Sequence, residues 1–201
     1  MKFSVLWSLG GLMLGGIIHI ASVLWVPVTA ANDSWTRITG LGSANMLHVV
    51  APTQDGRAPL PDLDPSLRHA VCRYDLTDGP LLITSQVPLV YWSVALYDRR
   101  GLNYYAINDR LVAGRNIRLW VATKQQLLAI EPQTPETVED DQRLLIGAPG
   151  VLGFAVFRAL VPGPSFEALV GNAFEATSCS TFDPTAARDL LSEFNGATHT
   201  R

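Results

Sequence analysis

The clearest strand pattern in this chain is Tyr91-Trp92-Ser93-Val94-Ala95-Leu96-Tyr97-Asp98. Because side chains alternate between the two faces of a strand, Trp92, Val94 and Leu96 would share one face and the residues between them the other. The segment Asp98-Arg99-Arg100-Gly101 follows directly, and Gly101 can adopt the positive φ of a tight turn. This part of the chain therefore predicts a hairpin whose apolar face carries Trp92.

Similar short runs, rich in β-branched and aromatic residues, occur on both sides of this hairpin. They cover residues 46–50, 69–76, 81–85, 103–108, 116–123 and 151–161. Four helices are also predicted, starting near Ser34 and covering residues 123–130, 164–177 and 184–194. The expected fold is mainly β with a few packed helices (α+β), in which most strands are antiparallel.

An apolar run over residues 3–26 precedes this domain and contains no Asp, Glu, Lys or Arg. About 20 apolar residues in a helix match the hydrocarbon thickness of a bilayer, and Trp7 and Trp25 lie near its ends, where aromatic side chains favour the membrane interface. Lys2 on the N-terminal side predicts a cytoplasmic N-terminus. The alternative is a cleaved signal peptide, since residues 28–30 resemble a small-residue cleavage site.

The chain thus divides into an anchor with its exit segment (residues 1–31), a β-rich domain expected outside the cytoplasm (32–180) and a helical tail (181–201). Membrane lipid is therefore the expected partner of the anchor. Gly11 and Gly15 are spaced to let a second helix approach closely, and His19 lies near the same face of the helix. These three residues are candidates for packing inside the membrane, although the pattern also arises by chance in apolar helices.

The formal net charge is −3, and the sequence contains no basic stripe, which argues against binding to nucleic acid or capture by anionic lipid. The two cysteines, Cys72 and Cys179, suit an oxidising compartment, and we predict that they form a disulfide. Two buried free thiols are the alternative. The sequence shows neither the spacing of a metal site nor a nucleophile elbow nor a phosphate-binding glycine loop, so no cofactor is predicted.

Three motifs are arranged along the domain. They are Asp64-Pro65 with residues 70–76 and Asp78-Gly79-Pro80, residues 91–98 with Gly101, and residues 153–158 with Pro162. Together they resemble a family of small single-pass membrane proteins of Gram-negative bacteria, the domain of unknown function DUF1254, over the chain as far as Cys179. The resemblance implies a β-sandwich-like periplasmic domain on an inner-membrane anchor. It also implies a separately encoded β-domain protein as a partner, and it supplies no catalytic residues.

Acidic and basic side chains at the predicted strand ends are the candidates for chemistry. Asp75 and Asp98 close strands, and a pair of carboxylates at one rim could perform acid–base catalysis on a glycoside. The stronger expectation is that these aspartates stabilise turns. Arg158 lies among apolar residues and needs a partner if it is buried, so we expect a structural ion pair with Asp75 or Asp98.

Four tyrosines, Tyr91, Tyr97, Tyr104 and Tyr105, could form a surface for a ligand or a protein partner. Cross-strand aromatic pairs also stabilise sheets without a ligand, and Tyr97 could pair with Tyr104 or Tyr105 across the hairpin. The leading hypothesis is a non-enzymatic accessory module of the cell envelope that acts through another envelope protein. The alternative is an envelope protein that binds carbohydrate or lipid, or a hydrolase that uses the strand-end Asp and Tyr residues.

Overall fold

The computed structural model describes residues 2–29, 34–50, 60, 63–112, 116–130 and 143–182. Its helices are α1 (Lys2–Thr29), α2 (Ser34–Thr39), α3 (Lys124–Ile130) and α4 (Glu167–Glu175), with a 3-10 turn at Pro164–Phe166. Its strands are β1 (Met46–Val50), β2 (Leu67–Asp75), β3 (Leu81–Gln86), β4 (Trp92–Asp98), β5 (Asn103–Asn108), β6 (Asn116–Thr123), β7 (Arg143–Ala148), β8 (Leu152–Leu160) and β9 (Ser178–Thr181).

The strands form two sheets, which confirms the mainly β fold. One sheet has five strands in the order β1-β2-β8-β4-β5, and the other has four in the order β7-β6-β3-β9. Neighbouring strands are antiparallel except β6 and β7, which pair in parallel. The central strand β8 has a strand on either side and is apolar on both faces apart from Arg158; its inward face is buried, and its outward face is mostly half-buried.

The main core lies between the inner faces of the two sheets. Trp92, Val94 and Leu96 of β4 are buried there, as their alternation predicts, together with Ile83 and Leu119 of the four-stranded sheet. The Asp98–Gly101 turn is also confirmed, since Gly101 adopts a φ of 82° and its N–H donates to the Asp98 carbonyl. The period-two pattern therefore identified both the strand and the face that it buries.

A disulfide joins the two sheets through this core. Cys72 lies in β2 of the five-stranded sheet and Cys179 in β9 of the four-stranded sheet, with their Cα atoms 6.5 Å apart. Both residues are buried. The predicted pairing is confirmed, and a disulfide of this kind is typical of proteins that mature in an oxidising compartment.

One helix in the described part of the chain, residues 3–26 of α1, is long and apolar enough to cross a membrane. Its side chains are exposed along that whole length, so nothing in the described domain covers them. A helix of this kind at an N-terminus is either a membrane anchor or a signal sequence. Ala30, the end of the possible cleavage motif, and the helix predicted at residues 184–194 lie outside the described residues.

Two strands were not predicted from the sequence. β9, Ser178–Thr181, is short and polar, and it is held by pairing with β3 and by the disulfide. β7, Arg143–Ala148, adds a parallel edge to the four-stranded sheet. The predicted helix at residues 164–177 is instead a 3-10 turn followed by the shorter helix α4.

Candidate functional site

The two candidate acids both lie beside the first residues of β8. Asp75 is opposite Leu152 on one side, and Asp98 is opposite Gly153 on the other. The Asp75 carboxylate accepts hydrogen bonds from the backbone N–H and the hydroxyl of Thr77, and these bonds lower its pKa. The oxygens of Asp75 therefore stabilise the turn that follows β2.

Asp98 has the same role in the turn that follows β4. Its carboxylate accepts the backbone N–H groups of Arg100 at 2.8 Å and Leu102 at 2.9 Å. Aspartate favours this arrangement because its short side chain reaches the backbone two residues ahead. Both candidate acids thus serve as turn residues, and neither is among the described residues that line the three cavities considered below.

The predicted ion pair of Arg158 with Asp75 or Asp98 is wrong. The register places Arg158 opposite His69 on β2 and Ser93 on β4, five or six residues along β8 from the positions that face the two acids. At about 3.3 Å per residue, this separation is roughly 16–20 Å. The guanidinium instead donates a long hydrogen bond of 3.4 Å to the hydroxyl of Tyr97.

The four candidate tyrosines do not form one surface. Tyr97 stacks on Phe154 of β8, with ring centroids 5.1 Å apart, so its predicted pairing with Tyr104 or Tyr105 is wrong. The β4–β5 register explains this, because Tyr97 lies opposite Asn103. Tyr105 is half-buried against the core, and Tyr91 is exposed just before β4.

Tyr104 has a buried partner that was not predicted. Its hydroxyl lies 2.7 Å from that of Tyr74, and the Tyr74 hydroxyl is also within hydrogen-bond distance of the Tyr97 carbonyl, at 3.2 Å. Burial raises the pKa of Tyr74 to about 12 and also raises the pKa of Tyr104. The pair is thus a neutral hydrogen-bonded link within the sandwich.

A cavity of about 340 Å³ lies between α2 and the outer face of the five-stranded sheet, and we call it the α2 cavity. Helix α2 is held there by Ile38, which is buried in a small second core with Val50, Val71 and Phe154. The described residues lining the cavity are Ser34, Arg37, Ile38, Leu60, Leu63, His69, Val71, Tyr97, Gly101, Phe154, Val156 and Arg158. Its wall is therefore mostly apolar, with a few polar groups.

The polar groups of the α2 cavity include two arginines and a histidine, and the described lining includes no carboxylate. Arg158 and His69 are direct cross-strand neighbours, while Arg37 comes from α2. Burial lowers the pKa of His69, and the adjacent charge of Arg158 lowers it further, which favours a neutral imidazole. The cavity thus combines an apolar wall with cationic side chains.

More arginines lie next to this cavity around Trp35, the second residue of α2. The guanidinium groups of Arg73 and Arg99 lie 5.9 Å and 5.8 Å from the centroid of the Trp35 ring, within the range of cation–π attraction. Arg73 also donates to the Gly42 carbonyl at 3.3 Å. The sequence contains no basic stripe, yet folding gathers basic residues from α2, β2, β8 and the β4–β5 turn onto one face.

Two other cavities have a different character. One, of about 430 Å³, is lined by the amides Gln86, Asn116 and Asn172 with apolar neighbours, and the other, of about 350 Å³, lies beside Thr84 and Arg118. In the described ranges no three His, Cys, Asp or Glu side chains are grouped as a metal would require. Of these three cavities, the α2 cavity is the one in which apolar, aromatic and cationic groups converge.

The candidate packing residues of α1 lie on a helix that no other described part of the chain covers. Gly11 and Gly15 have no described atom within 4 Å of the position that a side chain would occupy, and His19 is exposed. The three residues follow one another at four-residue intervals, so they lie along one side of α1. The helix thus presents an unfilled surface at these positions.

The β domain is similar in fold to a solved structure, the VPA0106 protein of Vibrio parahaemolyticus. The TM-score is 0.52 at 13% identity, and the match covers 80% of this chain and 34% of that one. A putative uncharacterized protein from Burkholderia cenocepacia is matched with a TM-score of 0.45 at 18% identity, over 71% of this chain and 36% of that chain. This chain therefore spans about a third of the length of either protein. No family model matches the chain, and no curated protein does. At 13% identity the likeness to the VPA0106 protein shows the fold alone.

Proposed function

We propose that this chain is a single-pass inner-membrane protein whose β domain works in the periplasm as a non-enzymatic accessory module of the cell envelope. The apolar helix α1 and the inter-sheet disulfide support an anchored domain in an oxidising compartment. Lys2 on the N-terminal side of α1 favours a cytoplasmic N-terminus, and the inner membrane is the location that a DUF1254-like protein would have. In this arrangement α1 crosses the bilayer once and the sandwich lies outside the cytoplasm.

The observation that carries the non-enzymatic role is how Asp75 and Asp98 use their oxygens. Each carboxylate accepts two hydrogen bonds from the turn that follows it, and neither lines a described cavity. An acid–base pair requires carboxyl groups that face a shared substrate site and have pKa values pushed apart by their surroundings. These residues therefore favour a binding role over the hydrolase alternative.

The partner in this proposal is another envelope protein that contacts α1 within the membrane. Gly11 and Gly15 leave a shallow surface on which a second helix can pack closely, and His19 can donate a hydrogen bond beside it. Such contacts replace lipid with tightly packed protein atoms. A separately encoded β-domain protein with its own membrane segment fits this description.

In-cell crosslinking of the full chain, followed by purification from solubilised membranes and mass spectrometry, tests the proposal. We expect one stoichiometric partner, whose recovery falls several-fold when Gly11 and Gly15 are both replaced by Leu. The matched control replaces Gly10 and Gly16 by Leu, since these residues lie on other sides of α1. Recovery of the chain alone, or equal losses in both variants, would reject this mode of association.

N-terminal sequencing of the mature protein tests the anchor itself. An intact α1 in the membrane fraction is the expected result. A mature chain that begins near residue 31 would show instead that α1 is a signal sequence, and the domain would then act without a membrane segment.

A further inference from the structure

The α2 cavity has the features of a ligand site rather than of a packing gap. Its volume of about 340 Å³ lies at the lower end of the range of about 300–1,000 Å³ that small-molecule sites occupy. The half-buried Leu60, Leu63 and Val156 provide apolar surface, while Arg158, Tyr97 and His69 supply a small set of polar groups. Sites that bind small molecules commonly combine these two kinds of wall.

We propose that the α2 cavity binds a single-chain amphipathic anion of the fatty-acid class. Its carboxylate lies against Arg158 and the Tyr97 hydroxyl, and its hydrocarbon chain lies against the apolar wall formed by Leu60, Leu63 and Val156. This goes beyond the accessory role proposed above, because it assigns the domain a small-molecule ligand.

The charge of Arg158 is the main argument for an anion. Arg158 is a half-buried residue, and within the described part of the chain no carboxylate lies within ion-pair distance of it. A partly buried cation gains most from an anionic partner, and a guanidinium can bind a carboxylate through two parallel hydrogen bonds. A carboxylate ligand would supply the partner that Asp75 and Asp98 do not.

The neighbours of Arg158 complete the polar end of the site. The Tyr97 ring is fixed by stacking on Phe154, and its hydroxyl, which accepts the hydrogen bond from Arg158, keeps an O–H to donate to an incoming carboxylate. His69 is buried directly opposite Arg158, and the lowered pKa of its imidazole favours the neutral form. A single negative charge is therefore matched by Arg158, with hydrogen-bonding groups around it.

The position of α2 in the chain indicates where such a ligand would come from. Ser34 lines the cavity and lies five residues after Thr29, the last residue of α1. Five extended residues span at most about 18 Å, so the cavity lies close to the end of the apolar helix. If α1 is the proposed anchor, the cavity lies within reach of the membrane surface, where single-chain lipids are released. The binding itself does not depend on the anchor.

Calorimetric titration of the full chain in zwitterionic lipid nanodiscs with octanoate at pH 8 tests the proposal, with empty nanodiscs as the reference. We expect saturable binding of one octanoate per chain, and binding of octanol at least tenfold weaker because it lacks the charge. Arg158→Met should weaken octanoate binding at least tenfold, since it removes the charge and retains most of the apolar stem. Arg110→Met, in the exposed β5–β6 turn, is the matched control and should bind as the parent chain does.

A second variant tests the site independently, in case Arg158→Met does not fold. Val156→Phe adds volume from the half-buried wall while leaving every charge in place, and it should abolish octanoate binding. The proposal is overturned if the heat matches that of empty nanodiscs, if octanol binds as tightly as octanoate, or if Arg158→Met binds as the parent chain does. The accessory role is tested separately by crosslinking, so an absence of octanoate binding would not contradict it. Likewise, an absence of a crosslinked partner would not contradict octanoate binding.

Discussion

His69 lies directly opposite Arg158 in the β2–β8 ladder, and both side chains face the α2 cavity. The imidazole is buried, with 6% of the residue exposed, so its protonated form would lose solvation next to a permanent cation. Arg68 also opposes protonation. A hydrogen bond to the Leu67 carbonyl and the charge of Asp64 favour the protonated imidazole. The effects of burial and of Arg158 are larger, so the pKa of His69 is lowered.

This relationship makes the stability of the domain depend on pH. The unfolded chain takes up a proton on His69 near its ordinary pKa of 6.5, whereas the folded chain takes it up only at lower pH. The unfolded state therefore binds more protons below about pH 6.5, and the free energy of unfolding falls as the pH is lowered from 7 to 5. The variant His69→Gln should lose less unfolding free energy between pH 7 and pH 5, because it lacks the imidazole that takes up the proton.

Urea unfolding followed by tryptophan fluorescence, at pH 5, 6 and 7, measures this dependence for the full chain in a nonionic detergent. The comparison is the difference in unfolding free energy between pH 7 and pH 5, which should be smaller in His69→Gln than in the parent. Equal differences in the two proteins would show that His69 is not the group responsible.

The Tyr74–Tyr104 pair predicts a second, alkaline loss of stability. Burial raises the pKa of Tyr74 from 10 to about 12, so the unfolded chain releases this proton first, and folding stability declines as the pH rises above 10. Tyr104→Phe should reduce this alkaline loss, because one raised group is removed. At pH 8 the same variant should cost about 1 kcal/mol through the lost hydroxyl hydrogen bond. Unfolding free energies at pH 8, 10 and 11 measure both effects, and an unchanged alkaline slope would argue against the prediction.

Much of the sandwich could be predicted because its signals are local. The alternation of Trp92, Val94 and Leu96 identifies a buried strand face, and Gly101 identifies the turn after it. β9 gave no such signal, since Ser178–Thr181 is polar and owes its place to pairing with β3 and to the disulfide at Cys179. Long-range pairing is set by the whole chain, and a four-residue polar segment does not reveal it.

The α2 cavity could not be predicted, because its residues are distant in sequence. Four elements supply its polar side chains, namely Arg37, His69, Tyr97 and Arg158. Taken alone, each of these residues has the pattern of an ordinary surface or core residue. The sequence did identify Arg158 as a charge among apolar neighbours, which was the useful signal. Its partner was predicted wrongly because the strand register, which places His69 opposite Arg158, is a property of the folded sheet.

The disulfide predicts a strong dependence of stability on redox conditions. Cys72 and Cys179 are separated by 107 residues, and a link of this span restricts the unfolded chain by about 4–5 kcal/mol in the entropy model. Reduction of the parent chain and the double variant Cys72→Ala/Cys179→Ala should both lower the free energy of unfolding by up to this amount. Urea titrations with and without dithiothreitol measure it, and the reductant should have no effect on the double variant. Two free thiols in protein extracted without reductant would contradict the pairing.

Gly153 gives the sharpest prediction about packing. A Cβ atom at this position would overlap the Tyr74 hydroxyl and the backbone carbonyl of Tyr97, which meet above the glycine. Gly153→Ala should therefore destabilise the domain by about 1–3 kcal/mol, as overpacking of a filled core does. The matched control is Gly171→Ala in α4, where a Cβ would meet no described atom and alanine should stabilise the helix by about 0.5–1 kcal/mol. Urea unfolding of the two variants should move the midpoint in opposite directions, and a Gly153→Ala midpoint equal to that of the parent would show that the Tyr74 contact has room to yield.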